Sequence, residues 1–177
     1  REDTLGSKST ALGYYALGNQ NFTSATNTNN TAVGYHAGLA VTTGTQNTFI
    51  GALAGDATTT GANNTAVGYL TLSNNTTGAN NVAIGKDALD SNTTASNNVA
   101  VGVDALQSNI LGAQSVAIGT FALNAQNVSS ATSMNNVAVG YATGLSVTTG
   151  IDNTLIGGLA GDALTTSNAN TALGRLA

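Results

Sequence analysis

The stretch NTAVGYLTLSNNTTGANNVAIG, residues 64–85, contains the grammar of the whole 177-residue chain. It opens and closes on one phrase, Asn–Thr/Val–Ala–Val/Ile–Gly, and Gly68 stands 17 residues before Gly85. With Ser, Leu and Phe as variants, the phrase occurs ten times. It closes on Gly13, Gly34, Gly51, Gly68, Gly85, Gly102, Gly119, Gly140, Gly157 and Gly174. The steps between these glycines are 21, 17, 17, 17, 17, 17, 21, 17 and 17 residues. A fixed period this short marks a stack of identical supersecondary units. Within one unit, NTAVG and YLTLS are short alternating stretches and NNTTGAN is rich in turn formers. Short strand signals bounded by Gly and Asn predict an all-β chain. The expected fold is a parallel β-solenoid, or β-roll, of about ten 17-residue coils, with residues 1–177 forming a single array. Glycine at this density argues against helices, where each costs about 1 kcal/mol.

Counting from each closing glycine sorts the sequence into columns. The position before it is always apolar: Leu12, Val33, Ile50, Val67, Ile84, Val101, Ile118, Val139, Ile156 and Leu173. Thr or Val stands three before it, and Ala stands between the two in eight coils, with Phe49 and Leu155 as exceptions. Side chains two apart share a strand face, so the two outer columns are expected to line the interior. Three residues after the glycine come small residues such as Ala37, Ala54 and Ala88; four after, Leu72, Leu89 and Leu106 contrast with Gly38 and Gly55. The Ala columns are expected to let backbones approach closely and so to favour association between chains. Ten after the beacon stand Gly44, Gly61, Gly78, Gly112 and Gly150, read as turn residues that need positive φ.

The phrase opens on Asn30, Asn47, Asn64, Asn81, Asn98, Asn136, Asn153 and Asn170. In-register stacking sets these amides about 4.8 Å apart. They either hydrogen-bond up the stack as a ladder or serve as turn formers.

Composition narrows the function classes. Charged residues are 7% of the chain, net charge is −4, and Lys and Arg number four in all: Arg1, Lys8, Lys86 and Arg175. A nucleic-acid surface needs a basic footprint that is missing here. No apolar run is long enough for a membrane-spanning helix, so direct membrane insertion is not expected. Zero cysteine excludes disulfides and thiolate metal sites. A coil of small apolar residues is too poor to stand alone, so stability is expected from stacking and from partner chains.

A longer repeat overlies the short one. GLAVTTGTQNTFIGALAGDA (38–57) returns as GLSVTTGIDNTLIGGLAGDA (144–163), an offset of 106. Residues 9–72 and 115–177 thus read as two copies of one block, each with a 21-residue step. The four extra residues are expected to bulge near 19–29 and 125–135, the places to look for a local recognition feature. The last coil stops three residues after Gly174, which suggests a segment of a longer fibre.

SVAIG at 115–119, NVAIG at 81–85, NNTAVGY at 29–35 and 63–69, and NTFIG at 47–51 carry a family resemblance. The chain resembles the head repeats of trimeric autotransporter adhesins, the YadA-like head, and equally the repeats of bacteriophage tail fibres. The resemblance spans nearly the whole chain. It implies a left-handed β-roll, a homotrimer about a threefold axis, and attachment to a host-cell or environmental surface receptor from an extracellular or virion fibre. The coils are longer than the YadA-like pattern, and no stalk, anchor barrel or chaperone segment accompanies them. A monomeric surface-binding solenoid, for ice or glycan, is the alternative.

Catalysis finds no foothold. His36 is the only histidine, no nucleophile–base pair can be assembled, and no cofactor motif is present. The candidate metal ligands are Asp87 and Asp104, which share a column in adjacent coils, although calcium wants six to eight oxygens. Paired threonines (42–43, 59–60, 76–77, 93–94, 148–149, 165–166) raise ice binding, but a flat array needs Thr-x-Thr, and Ile110–Leu111 breaks the ranks. The chain is therefore read as a non-catalytic structural or adhesive segment without cofactor.

Overall fold

The computed structural model describes residues 5–177; Arg1, Glu2 and Asp3 lie outside the described residues. Among those described there are strands and turns and no helix. The main sheet has ten three-residue strands: β2 Thr10–Leu12, β4 Thr31–Val33, β5 Thr48–Ile50, β6 Thr65–Val67, β7 Val82–Ile84, β8 Val99–Val101, β10 Val116–Ile118, β12 Val137–Val139, β13 Thr154–Ile156 and β14 Thr171–Leu173. They pair in parallel and in register, neighbour to neighbour along the chain, so Ala66 lies opposite Ala83 and Ala83 opposite Ala100. The fold is a parallel β-solenoid of about ten turns. Two further strand pairs occur only at the 21-residue steps: β1 Gly6–Ser7 with β3 Thr26–Asn27, and β9 Gly112–Ala113 with β11 Thr132–Ser133. The extra residues therefore add a short parallel pair beside each insertion.

The interior is the reverse of the expected one. In the eight inner coils the middle residue of the phrase points inward: Ala32, Phe49, Ala66, Ala83, Ala100, Ala117, Ala138 and Leu155 are fully buried. The flanking columns point out, and Ile50, Ile84, Ile118 and Ile156 are each about 40% exposed. A period of two names two faces but not which is inside, and here the apolar columns are on the outer one. The reason is volume. The opposite wall supplies Leu72, Leu89, Leu106 and Leu123, all fully buried, and these leave room only for Ala across the coil. Where the opposite wall carries Gly38 and Gly55, Phe49 fills the gap. A Cβ on Gly38 would come within 2.8 Å of the Phe49 ring, and one on Gly55 within 2.5 Å. Leu155 sits likewise between Gly144 and Gly161, 2.8 Å from a Cβ on either. Large and small residues alternate across one thin core. The Ala columns thus bring together two walls of one chain and not two chains.

The corners correct a second expectation. The glycines ten after the beacon do not have positive φ; a Cβ on Gly44, Gly61, Gly78 or Gly150 would press on the next coil's backbone, as on Gly78 O at 2.5 Å from Gly61. Left-handed backbone occurs instead at three other columns, two and four after the beacon and five before it. Examples in one coil are Leu70 (φ 53°), Leu72 (φ 54°) and Asn80 (φ 58°). Asn fills the last column often (Asn29, Asn63, Asn80, Asn97, Asn135), the residue that tolerates this region best after Gly. The beacon glycines have φ of 120–143°. Their column is also a close approach, since a Cβ on Gly34 would lie 2.5 Å from Gly51 O in the next coil.

Candidate functional site

The Asn column is buried and works mainly through the backbone. Asn64 Oδ1 accepts from the Asn81 N–H at 3.0 Å, and Asn64 Nδ2 donates to Gly78 O at 2.9 Å. The same pair of bonds joins Asn30 to the coil of Asn47, Asn47 to that of Asn64, and Asn81 to that of Asn98. Asn98 bonds Ser115 N–H and Gly112 O in this way, and Asn136 bonds Asn153 N–H and Gly150 O. Direct amide-to-amide bonds join Asn170 to Asn153 at 2.8 Å and Asn153 to Asn136 at 3.2 Å. A second interior polar column was not foreseen: Thr58, Asn75, Asn92 and Asn109, with Asn92 Nδ2 donating to Asn75 Oδ1 at 2.8 Å. At each 21-residue coil, Gln replaces Asn in that column and Ser replaces it in the first. Gln126 Oε1 accepts from Asn136 Nδ2 at 2.9 Å and from Ser115 Oγ at 3.2 Å. Gln20 does the same with Asn30 and Ser9. The Ser–Gln replacement at equal offset was the legible signal for this clasp.

These networks explain architecture, so functional chemistry is to be sought on the outside. Asp87 is nearly buried and hydrogen-bonded to Lys86 Nζ, which also feels Asp104 from the next coil. The hydrogen bond to Asp87 holds the exposed Lys86 ammonium above its usual range. A cation of the chain itself thus stands at the two aspartates, and no group of three ligating side chains forms among the described residues. The Thr pairs divide: Thr42, Thr59, Thr76, Thr93 and Thr148 donate their hydroxyls to carbonyls of the next coil at 3.0–3.4 Å. Their partners Thr43, Thr60, Thr77, Thr94 and Thr149 are exposed, and the rank is broken at Leu111 and Val128. Beside the second insertion, Ile110, Leu111, Val128 and Thr149 line a groove of about 560 Å³. At the matching place in the first block Phe22 is buried.

The aromatic residues gather on one corner. Tyr14, Tyr15, Tyr35 and His36 come from two adjacent coils. The Tyr35 and His36 rings stack at 3.9 Å and 15°, and Tyr14 lies parallel to Tyr35 at 5.7 Å and 6°. Tyr15 meets Tyr14 edge-on at 4.6 Å and His36 at 5.9 Å. Tyr14 is 63% exposed, and Tyr15 and Tyr35 are each 50% exposed. Behind them Asp56 has Oδ1 buried without a hydrogen-bond partner. Burial raises the Asp56 carboxyl above its ordinary range, while the nearby His36 pulls it down. His36 is thus part of an aromatic stack. Two exterior features stand out: this corner and the apolar outer face of the ten-stranded sheet.

No family model, no curated protein and no solved structure matches the chain.

Proposed function

We propose that the chain is a non-catalytic segment of an extracellular homotrimeric fibre, of the phage tail-fibre or bacterial surface-adhesin kind, that presents a surface-binding site. The supporting observation is the outer face of the main sheet. Val33, Ile50, Val67, Ile84, Val101, Ile118, Val139 and Ile156 run along it in one line, partly exposed, with Val82, Val99, Val116 and Val137 beside them at its centre. Thr replaces Val towards both ends, at Thr31, Thr48 and Thr154. An apolar centre with a more polar periphery is the anatomy of an interface between chains. A contiguous apolar strip on a chain otherwise coated with Thr and Asn marks an interaction surface. A second and third copy of the same chain, related by a threefold axis, suit a strip that repeats along its whole length. The left-handed winding and the YadA-like or tail-fibre kinship belong to the same proposal and rest on the SVAIG and NTAVG phrases. The monomeric alternative has the threonine pairs as its basis, but in five of the six pairs the first hydroxyl is already bonded to the backbone of the next coil.

The test is solution mass by light scattering together with chemical cross-linking. A trimer is expected. Ile84→Lys with Ile118→Lys, both outward-facing, should yield folded monomers. A wild-type chain that stays monomeric sinks the proposal.

A further inference from the structure

The four-ring corner has no architectural reason to exist. Its counterpart 106 residues later is Thr120, Phe121, Tyr141 and Ala142, with only two rings, Phe121 and Tyr141, at 6.2 Å. The backbone of the two corners is alike: φ is 54° at Tyr15 and 61° at Phe121, 56° at His36 and 50° at Ala142. The coil therefore closes equally well with Thr and Ala where the first block has Tyr14 and His36. Three of the five tyrosines in the chain stand in this one place, half exposed, side by side. Buried aromatics stabilise by the area they cover; these leave much of that area in water.

We propose that Tyr14, Tyr15, Tyr35 and His36 form a platform for a neutral pyranose ring of a glycan. The proposal deepens the surface-binding reading above and rests on it. One face of a pyranose chair presents C–H groups with partial positive charge, which complement the negative face of an aromatic ring. Its hydroxyls suit the tyrosine hydroxyls and the imidazole, which both donate and accept. Two other ligand classes fit less well. An aromatic cage for a quaternary ammonium holds its rings apart around the cation, whereas neighbouring rings here already touch at 3.9–5.9 Å. An anionic sugar or phosphate wants a cation, and this corner column reaches Lys86 only three coils beyond Tyr35, with Asp56 nearer.

The experiment is saturation-transfer NMR on the intact chain with chitotriose, maltotriose and lactose as probes, and choline chloride as the comparison. At least one saccharide is expected to receive saturation on its ring C–H protons. The exchange Tyr14→Thr with His36→Ala, which writes the second corner into the first, should weaken that binding about tenfold or more. Tyr141→Ala should leave it unchanged. Circular dichroism checks the fold of each variant, and Tyr14→Leu alone serves if the double exchange disturbs it. The proposal is overturned if none of the three saccharides binds, if binding survives the exchange at the first corner, or if choline gives the stronger response. Solution mass on the same samples separates the two readings: a trimer without sugar binding removes only the platform, and a sugar-binding monomer removes only the trimer.

Discussion

The two copies of the block, residues 9–72 and 115–177, agree through most of the core and differ at the aromatic corner and beside the insertions. Inside, Phe49 between Gly38 and Gly55 is matched by Leu155 between Gly144 and Gly161. The Ser9–Gln20–Asn30 clasp is matched by Ser115–Gln126–Asn136. At the corner, Tyr14 and His36 become Thr120 and Ala142; beside the insertions, the buried Phe22 and Thr28 become Val128 and Met134. The interior is bound by geometry, because each side chain faces a wall a few ångströms away and another copy of itself one coil on. The aromatic corner and the insertion carry less of that constraint, and it is there that the two copies differ most.

The sameness of the interior is tested hardest at the beacon glycines. A Cβ on Gly51 would overlap Gly68 O, and one on Gly157 would overlap Gly174 O, in both cases with backbone that cannot move aside. Gly51→Ala and Gly157→Ala should each cost about 3 kcal/mol or more, from overlap added to left-handed strain. Denaturant titration of both variants should give losses of the same size. A mild effect in either copy would break the equivalence.

Next comes core volume. Phe49→Ala should cost about 3–5 kcal/mol and Leu155→Ala about 2–5 kcal/mol. Adding Gly38→Leu and Gly55→Leu to Phe49→Ala converts that coil to the Ala–Leu type of its neighbours and should recover part of the loss. Leu already holds the same left-handed position at Leu72, φ 54°. Thermal unfolding of the single, double and triple variants measures the coupling; no recovery would mean that the two columns do not share one space.

Smaller still is the clasp. Gln126→Ala leaves Asn136 Nδ2 and Ser115 Oγ without one partner each in a fully buried site, a loss of about 1–3 kcal/mol. Gln20→Ala should cost less, because Gln20 and Ser9 are nearer to solvent. Equal losses would contradict the difference in burial.

The smallest effect is with pH. Burial raises the Asp56 and Asp90 carboxyls above the ordinary 3.8, opposed at Asp56 by its backbone hydrogen bond and by His36. Between 3.8 and the raised values the folded chain binds protons that the unfolded chain has released, so these two groups favour folding most at low pH. Their contribution falls as pH rises through the folded values. The unfolding midpoint of Asp56→Asn with Asp90→Asn should therefore depend less on pH across this window. His36→Ala, which copies Ala142, should raise the Asp56 carboxyl further and steepen the dependence; a flatter profile would deny the influence of His36 on Asp56.

Period, strand direction and register were legible because each rests on spacing alone. Which face is inside was not. The reading that apolar residues go inward fails when both faces are apolar and the inner one is too thin for Val or Ile. A signal was nonetheless present. Phe49 and Leu155, the two large residues in the Ala column, occur where Gly replaces Leu four after the beacon, and such compensation in size implies contact. The corner conformations were misassigned for a related reason. Gly at ten after the beacon suggested positive φ, but Ala95 fills that column in one coil. The true left-handed columns carry Leu, Asn, Asp and Tyr, residues that do not advertise it. The aromatic corner was legible as residues but not as a cluster, since only stacking of the coils brings Tyr14 beside Tyr35.

The in-register stack has a mechanical consequence. Within one chain each coil pairs only with the one before and the one after, so tension applied along the axis loads the coil interfaces in series. The chain then yields one coil at a time from an end. Every release frees 17 residues and lengthens the tether by about 50 Å, the extended span of the coil less the one inter-strand spacing it occupied. A chain built this way pays out length in nearly equal increments, with a longer one at each 21-residue coil, so its extension under load would read back the spacing of its glycines.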